Sequence, residues 1–206
     1  MSALEFAQKI KAKFGDLISE PTEFRGEITI KLGDAERIVE VCEFAKKELD
    51  FNYLVDISSV DNSDTSQARA ERCYGEDLRW TVVYHLRGLA NRCELRLKTD
   101  VSEEKSELPT VTTVWKTADW HEREIYDMMG IRFRGHPDLR RILMWEGYPY
   151  FPLRKDFPLA GKPTDIPGVA FTQSAPLEGG PFVTAPGGKD AIEREPHVRN
   201  PENSSS

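Results

Sequence analysis

The 206-residue chain has no run approaching the ~18 uninterrupted apolar residues of a membrane span. Its longest buried-looking stretch, Thr81–Leu86, is of strand length. Cysteine is scarce. Cys42, Cys73 and Cys93 are far apart, an odd number that cannot all pair within the chain, with no C-x-x-C and no zinc spacing. That usage predicts a reduced cytosolic protein with ordinary thiols and no bound metal. Positive charge is in deficit, 28 Lys and Arg against 35 Asp and Glu for a net charge of -7, which argues against nucleic-acid binding through phosphate neutralisation. The G-x-S-x-G, G-x-x-x-x-G-K-[ST] and G-x-G-x-x-G fingerprints are missing, so hydrolase, P-loop and dinucleotide readings have no support. Met1–Lys13 has no apolar h-region and no Arg, and it carries Glu5, so neither a secretory signal nor a transit peptide is expected.

Composition divides the chain near Gly161. The last 46 residues hold seven of the 13 prolines and six of the 14 glycines. Such a segment buries too little apolar surface to offset its ordering entropy. Yet Ile166, Val169, Phe171, Leu177, Phe182 and Val183 are spaced along it. It reads either as a loose tail or as an extended strap that orders on a partner with those side chains as pegs. Residues 1–160 then form one domain and 161–206 a Pro/Gly-rich extension.

Within the domain the pattern is α+β, with helices on one face of a small, mainly antiparallel sheet. Leu4, Ala7, Ile10, Phe14 and Leu17 recur at helical spacing up to Pro21. Arg25–Leu32 alternates as a strand. Asp34 is placed to cap a helix with Ile38, Val41, Cys42, Ala45 and Leu49 on one face. Tyr53–Val60, Leu78–Leu86 and Arg92–Leu97 read as strands, the last two joined by an Arg87–Asn91 hairpin turn. Asp61–Asp77 and Val101–Leu108 read as polar loops, and Thr110–Trp115 as a short helix after Pro109. A further helix starts at Asp119, where Asp119 and Glu122 have capping-box spacing, and it ends at Gly130. Arg123 and Asp127 are spaced as an i,i+4 ion pair on its polar side.

Candidate chemistry is thin. His121-Glu122 begins like a zincin motif, but Ile125 stands where the second His is needed. Glu124 and Asp127 are three apart and could share a cation or a proton, although beside Arg123 they fit structural ion pairs better. His136 lies in a Gly-His-Pro-Asp turn and suits a hydrogen bond to nearby backbone or carboxylate. Charge distribution is more informative. Gly130–Lys155 carries Arg132, Arg134, Arg140, Arg141, Arg154 and Lys155 against Asp138 and Glu146, interleaved with aromatics. Arginine and aromatics in a weakly periodic stretch point to a docking surface rather than an active site. Arg140 and Arg141 are candidates for bidentate contacts to acidic groups of a neighbour.

The order Glu122-Arg-Glu124-Ile-Tyr-Asp127-Met-Met-Gly130, then His136-Pro-Asp-Leu-Arg140-Arg141-Ile-Leu, then Pro152-Leu-Arg154-Lys155-Asp156-Phe-Pro-Leu and Gly161, resembles the signature of the 30-kDa-type subunit of proton-pumping NADH:quinone oxidoreductase, respiratory complex I. The motif covers Ala118–Gly161 closely, and the preceding pattern is compatible in order and length. The resemblance implies a non-catalytic scaffold subunit of the peripheral arm, without catalytic, cofactor or metal residues of its own, while FMN and iron–sulfur clusters reside elsewhere in the complex. It implies a place on the cytoplasmic side of the bacterial inner membrane, against the 49-kDa-type quinone-site subunit and the cluster-bearing subunit beside it, with the tail crossing the 49-kDa-type partner. No fused 49-kDa-type subunit is expected after the tail. Glu122, Arg123, Glu124, Asp127, His136, Arg140 and Arg141 would hold the local fold and that contact, and Arg154, Lys155 and Asp156 would continue it. Other readings are the equivalent subunit of a related membrane-bound hydrogenase or other-donor oxidoreductase, a free-standing enzyme using Glu124 and Asp127, and a soluble adaptor unrelated to respiration.

Overall fold

The computed structural model describes residues 2–63 and 78–158. The expected tail from Gly161 and most of the polar loop after Asp61 lie outside them. Residues up to Asp156 form one compact unit, and of the unit beginning at Phe157 only two residues are described.

Helix α1 (Ala3–Phe14) starts on a reciprocal cap, with Ser2 Oγ accepting from the Glu5 amide and the Glu5 carboxylate accepting from the Ser2 amide. It buries Phe6, Ala7 and Ile10. The strand expected over Arg25–Leu32 is β2 (Glu27–Leu32), and it forms a hairpin with β1 (Thr22–Phe24), a strand not expected, through a turn at Arg25 and Gly26. Arg25 and Gly26 both have positive φ, 53° and 81°, the backbone of a tight I′ turn. Alternation continues through such a turn, so periodicity alone does not reveal it. Helix α2 (Ile38–Leu49) follows a 3-10 turn, Ala35–Arg37, that Asp34 caps by accepting from the Glu36 amide. Its buried residues are the five expected: Ile38, Val41, Cys42, Ala45 and Leu49.

Strands β3 (Tyr53–Asp61), β4 (Trp80–Gly88) and β5 (Cys93–Val101) complete a five-stranded sheet of order β1-β2-β5-β4-β3. Three of its four pairings are antiparallel, and β2 with β5 is parallel. Cross-strand register builds apolar rows such as Ile28–Leu95–Leu86–Leu54 and Ile30–Leu97–Tyr84–Ile57. These rows join the buried faces of α1 and α2 in a single core. Alternate positions, Thr29, Lys31, Arg96, Lys98 and His85, are polar and partly exposed, as a sheet covered on one face requires.

Three expectations fail after β5. Val101–Leu108 is not all loop, because β6 (Glu107–Pro109) pairs in parallel with β7 (Arg132–Arg134), a partner remote in sequence. Thr110–Trp115 is a single turn rather than a helix, with the Val114 and Trp115 amides both donating to the Val111 carbonyl. Helix α3 (Ala118–Met129) packs on β3, and no side chain caps its start. The Asp119/Glu122 capping box does not form, because the Glu122 carboxylate is taken by Thr110 and Val111.

Candidate functional site

Gly130 ends α3 at φ 80°, and the chain then runs out through β7 and returns along the helix as an irregular segment, Asp138–Asp156. The signature residues fasten that segment to α3 and to the sheet.

Asp127 is the central fastener. It is 0% exposed, and its Oδ2 accepts from three consecutive amides, Ile142 (3.0 Å), Leu143 (2.7 Å) and Met144 (2.8 Å). Its Oδ1 takes the Arg141 guanidinium at 2.6 Å. Burial pushes the carboxyl up, but the Met144 amide, the Arg141 guanidinium and the Leu143 and Ile142 amides outweigh it and hold the group below the ordinary range. The expected Arg123–Asp127 pair is therefore absent. Arg123 instead donates to the carbonyls of Arg140 (3.2 Å) and Arg141 (3.4 Å). An amphipathic reading assigns charged residues to the solvent face, and here three amides and a guanidinium supply the partners that let Asp127 turn inward.

Arg154 and Asp61 fasten the far end. Arg154 Nε donates to the Met129 carbonyl at 2.6 Å, and the guanidinium lies over the rings of Phe151 (4.3 Å) and Trp80 (5.1 Å). Gly130 leaves room for this, since a Cβ there would meet Phe151 at 2.8 Å as well as the Arg154 guanidinium. Arg79 grips buried Asp61 with two nitrogens at 3.1 and 2.9 Å and also reaches Glu103 (2.6 Å) and Asp156 (3.2 Å). The Lys155 amide donates to Asp61 Oδ2 at 2.9 Å. Burial raises the Asp61 carboxyl, while Arg79 and the Lys155 and Ser63 amides more than offset that and depress it. Asp61 and Arg79 escape sequence reading because they bound a polar stretch that looks like ordinary surface loop. Only a residue of each charge at its two ends hinted at a clasp.

Glu122 and His136 form a third cluster. Glu122 is 0% exposed and takes Thr110 Oγ1 at 2.5 Å and the Val111 amide at 2.8 Å. Burial pushes its carboxyl up to about 7, against the opposing pull of Thr110 and Val111. His136 Nδ1 accepts from the Asp138 amide, and Nε2 lies 3.2 Å from the Asp119 carbonyl and 3.1 Å from Asp119 Oδ1. Thr110 carried no motif that sequence alone could have flagged.

The remaining signature residues face outward. Glu124 is exposed, so it does not meet Asp127, whose oxygens are fully engaged, and no acid–base pair is assembled there. The Arg140 side chain is 72% exposed beside Asp138, whereas that of Arg141 is 13% exposed. Among the described residues no cluster of His, Cys, Asp and Glu is arranged to hold a metal ion, and no helix is long and apolar enough to cross a membrane. Large apolar side chains do stand in solvent: Trp120 on α3 at 64%, and Leu143 and Leu153 on the returning segment at 62% and 58%.

Residues 32–163 match the family model described as respiratory-chain NADH dehydrogenase, 30 Kd subunit. The second C-type subunit of NADH-quinone oxidoreductase from Rhizobium etli is 48% identical over 154 residues, covering 74% of this chain and 75% of that protein. The C-type subunit of the same enzyme from Geotalea uraniireducens is 44% identical over 153 residues, covering 74% and 86%. The solved trypsin-resistant fragment of Nqo5 superposes with a TM-score of 0.52 at 33% identity, covering 66% of this chain and 97% of the fragment. A chain of the archaeal membrane-bound sulfane sulfur reductase shares the fold, with a TM-score of 0.60 at 21% identity over 75% and 85% of the two chains. With Asp127, Arg123, Arg141 and Arg154 of its signature fastening one segment to α3, and with a family model matching residues 32–163 and relatives of this kind matching 74% of its length, the chain belongs to the 30-kDa subunit family of respiratory-chain NADH dehydrogenase, complex I.

Proposed function

We propose that this chain is a non-catalytic scaffold subunit of the peripheral arm of NADH:quinone oxidoreductase. It docks on the 49-kDa-type quinone-site subunit and its cluster-bearing neighbour, on the cytoplasmic side of the membrane. The observation that carries this reading is how the signature is spent. Asp127, Arg123 and Arg154 brace the 138–156 segment against α3, and the braced surface leaves Trp120, Leu143 and Leu153 exposed. Aromatic and aliphatic anchors on a rigid support are the usual makings of an interface hot spot. Electron transfer from NADH through FMN and iron–sulfur clusters, and the coupled proton translocation, then belong to other subunits. Glu122, Glu124, Asp127, His136, Arg140, Arg141, Arg154, Lys155 and Asp156 support assembly. Arg140, exposed, faces the neighbour, while Arg141 acts inside the chain.

The test is affinity capture of the tagged chain from membranes solubilised in mild detergent, with identification of co-purifying subunits and a cofactor assay. Partners bearing FMN and clusters, with NADH:quinone activity, are expected. Recovery of the chain alone would overturn the reading. Clusters without FMN would favour the equivalent subunit of a related membrane-bound hydrogenase or other-donor oxidoreductase; the fold does recur in another respiratory membrane complex, a sulfane sulfur reductase.

A further inference from the structure

Three acidic residues are buried as a whole among the described residues: Asp61, Glu122 and Asp127. Two of them have a guanidinium within 2.9 Å, Arg79 for Asp61 and Arg141 for Asp127. Among the described residues Glu122 has no arginine or lysine partner, and the nearest basic atom is His136 Nε2, 3.9 Å from Oε2. That histidine is committed elsewhere. Its Nδ1 accepts from the Asp138 amide, which places the ring proton on Nε2, bonded to the Asp119 carbonyl with Asp119 Oδ1 3.1 Å away.

We infer that Glu122 is a proton-linked latch, held as the carboxylic acid, which ties the middle of α3 to the Thr110–Thr112 turn and whose ionisation weakens the fold by leaving a buried charge. The hydroxyl chain around it accommodates either state. Thr110 Oγ1 lies 2.5 Å from Glu122 Oε2 and 2.9 Å from Thr112 Oγ1, and it accepts from the Thr112 amide at 3.1 Å. As the acid, Glu122 donates to Thr110, which donates to Thr112; as the anion, it reverses both bonds. No hydrogen bond is lost on ionisation, so the states differ by one buried negative charge that no cation offsets.

The groups facing Glu122 act in the same sense. Asp119, on its own helix, opposes ionisation electrostatically. Cys42 of α2 and Tyr84 of β4 are buried, and burial is the main cause that raises both; an ionised Glu122 would add to the rise at Cys42 and, after Cys42 itself, at Tyr84, so neither supplies a positive charge to offset it. The Tyr84 hydroxyl has no hydrogen-bond partner among the described residues.

The linkage has a definite sign. The Glu122 carboxyl moves from 4.5 to about 7 on folding, so its contribution is complete below pH 4.5 and is lost as pH rises through about 7. Asp61 and Asp127 are shifted the other way and change nothing above about pH 5.

The test uses the full chain by itself, so its outcome is independent of the docking reading. Urea unfolding is followed from about pH 5 to 8 for the wild type and for Glu122→Gln. The wild-type folding constant should fall by up to about tenfold per pH unit until about pH 7 and then level. The variant should lack that component. Parallel profiles for the two proteins overturn the proposal. Should the variant fail to fold, infrared spectroscopy of the wild type decides. A protonated-carboxyl stretch at about pH 6.5, where exposed carboxyls are ionised, that vanishes by about pH 8.5 supports the latch. Its absence at about pH 6.5 overturns it.

Discussion

Asp127 and Arg141 show what a buried charge needs. The carboxylate is inside only because three consecutive amides and one guanidinium converge on it. Asp127→Ala leaves that guanidinium and those amides without an acceptor and should destabilise the chain by about 3–5 kcal/mol, read as a drop in urea midpoint. The neighbouring arginines should behave differently. Arg141→Ala should destabilise the isolated chain, whereas Arg140→Ala, at a side chain 72% exposed, should stay within about 0.5 kcal/mol of wild type and lower only the yield of assembled complex. Equal losses of chain stability for the two would contradict the separation drawn here. Acid titration carries a related expectation. Asp61 and Asp127 are held below 3.8, so the stability they contribute is present above that value and is lost as pH falls through their folded values. Asp61→Asn should therefore shallow the acid limb of unfolding, monitored by circular dichroism.

Helix α3 is held by what lies beyond its two ends. Its first turn has no side-chain cap, and Glu122, spaced to supply one, reaches instead to the Thr110–Val111 turn. Its last turn closes on Gly130, whose φ of 80° suits glycine and whose missing Cβ makes room for Phe151 and Arg154. Gly130→Ala should cost more than the ~1–2 kcal/mol of a left-handed backbone alone, because Phe151 must also move. Limited proteolysis should then cut the 145–156 segment faster than in wild type, and an unchanged cleavage rate would show that the close approach is not structural.

For the whole molecule, the core of α1, α2 and the sheet is a platform, and the signature segment is fastened along one side of it. If that side docks on a partner, Trp120→Ala should leave the unfolding midpoint of the chain almost unchanged and weaken capture of partner subunits by about 1–2 kcal/mol, seen as a roughly tenfold loss in pull-down. A Trp120→Ala chain that assembles normally would move the interface elsewhere.

Periodicity and caps are local properties, so α2 and its five buried residues, strands β3 to β5 and the glycine stop of α3 could be read directly from residue order. The family was legible for the same reason, in the ordered run from Glu122 to Asp156. What lay beyond the sequence depended on backbone angles or on a partner distant along the chain. The β1–β2 turn needed backbone angles, β6 needed β7, and Arg123 needed carbonyls 17 and 18 residues away. Tertiary structure alone decided how the buried carboxyls are held, because burial raises all three and, among the described residues, Asp61 and Asp127 alone of the three meet a guanidinium and several amides that bring them back down.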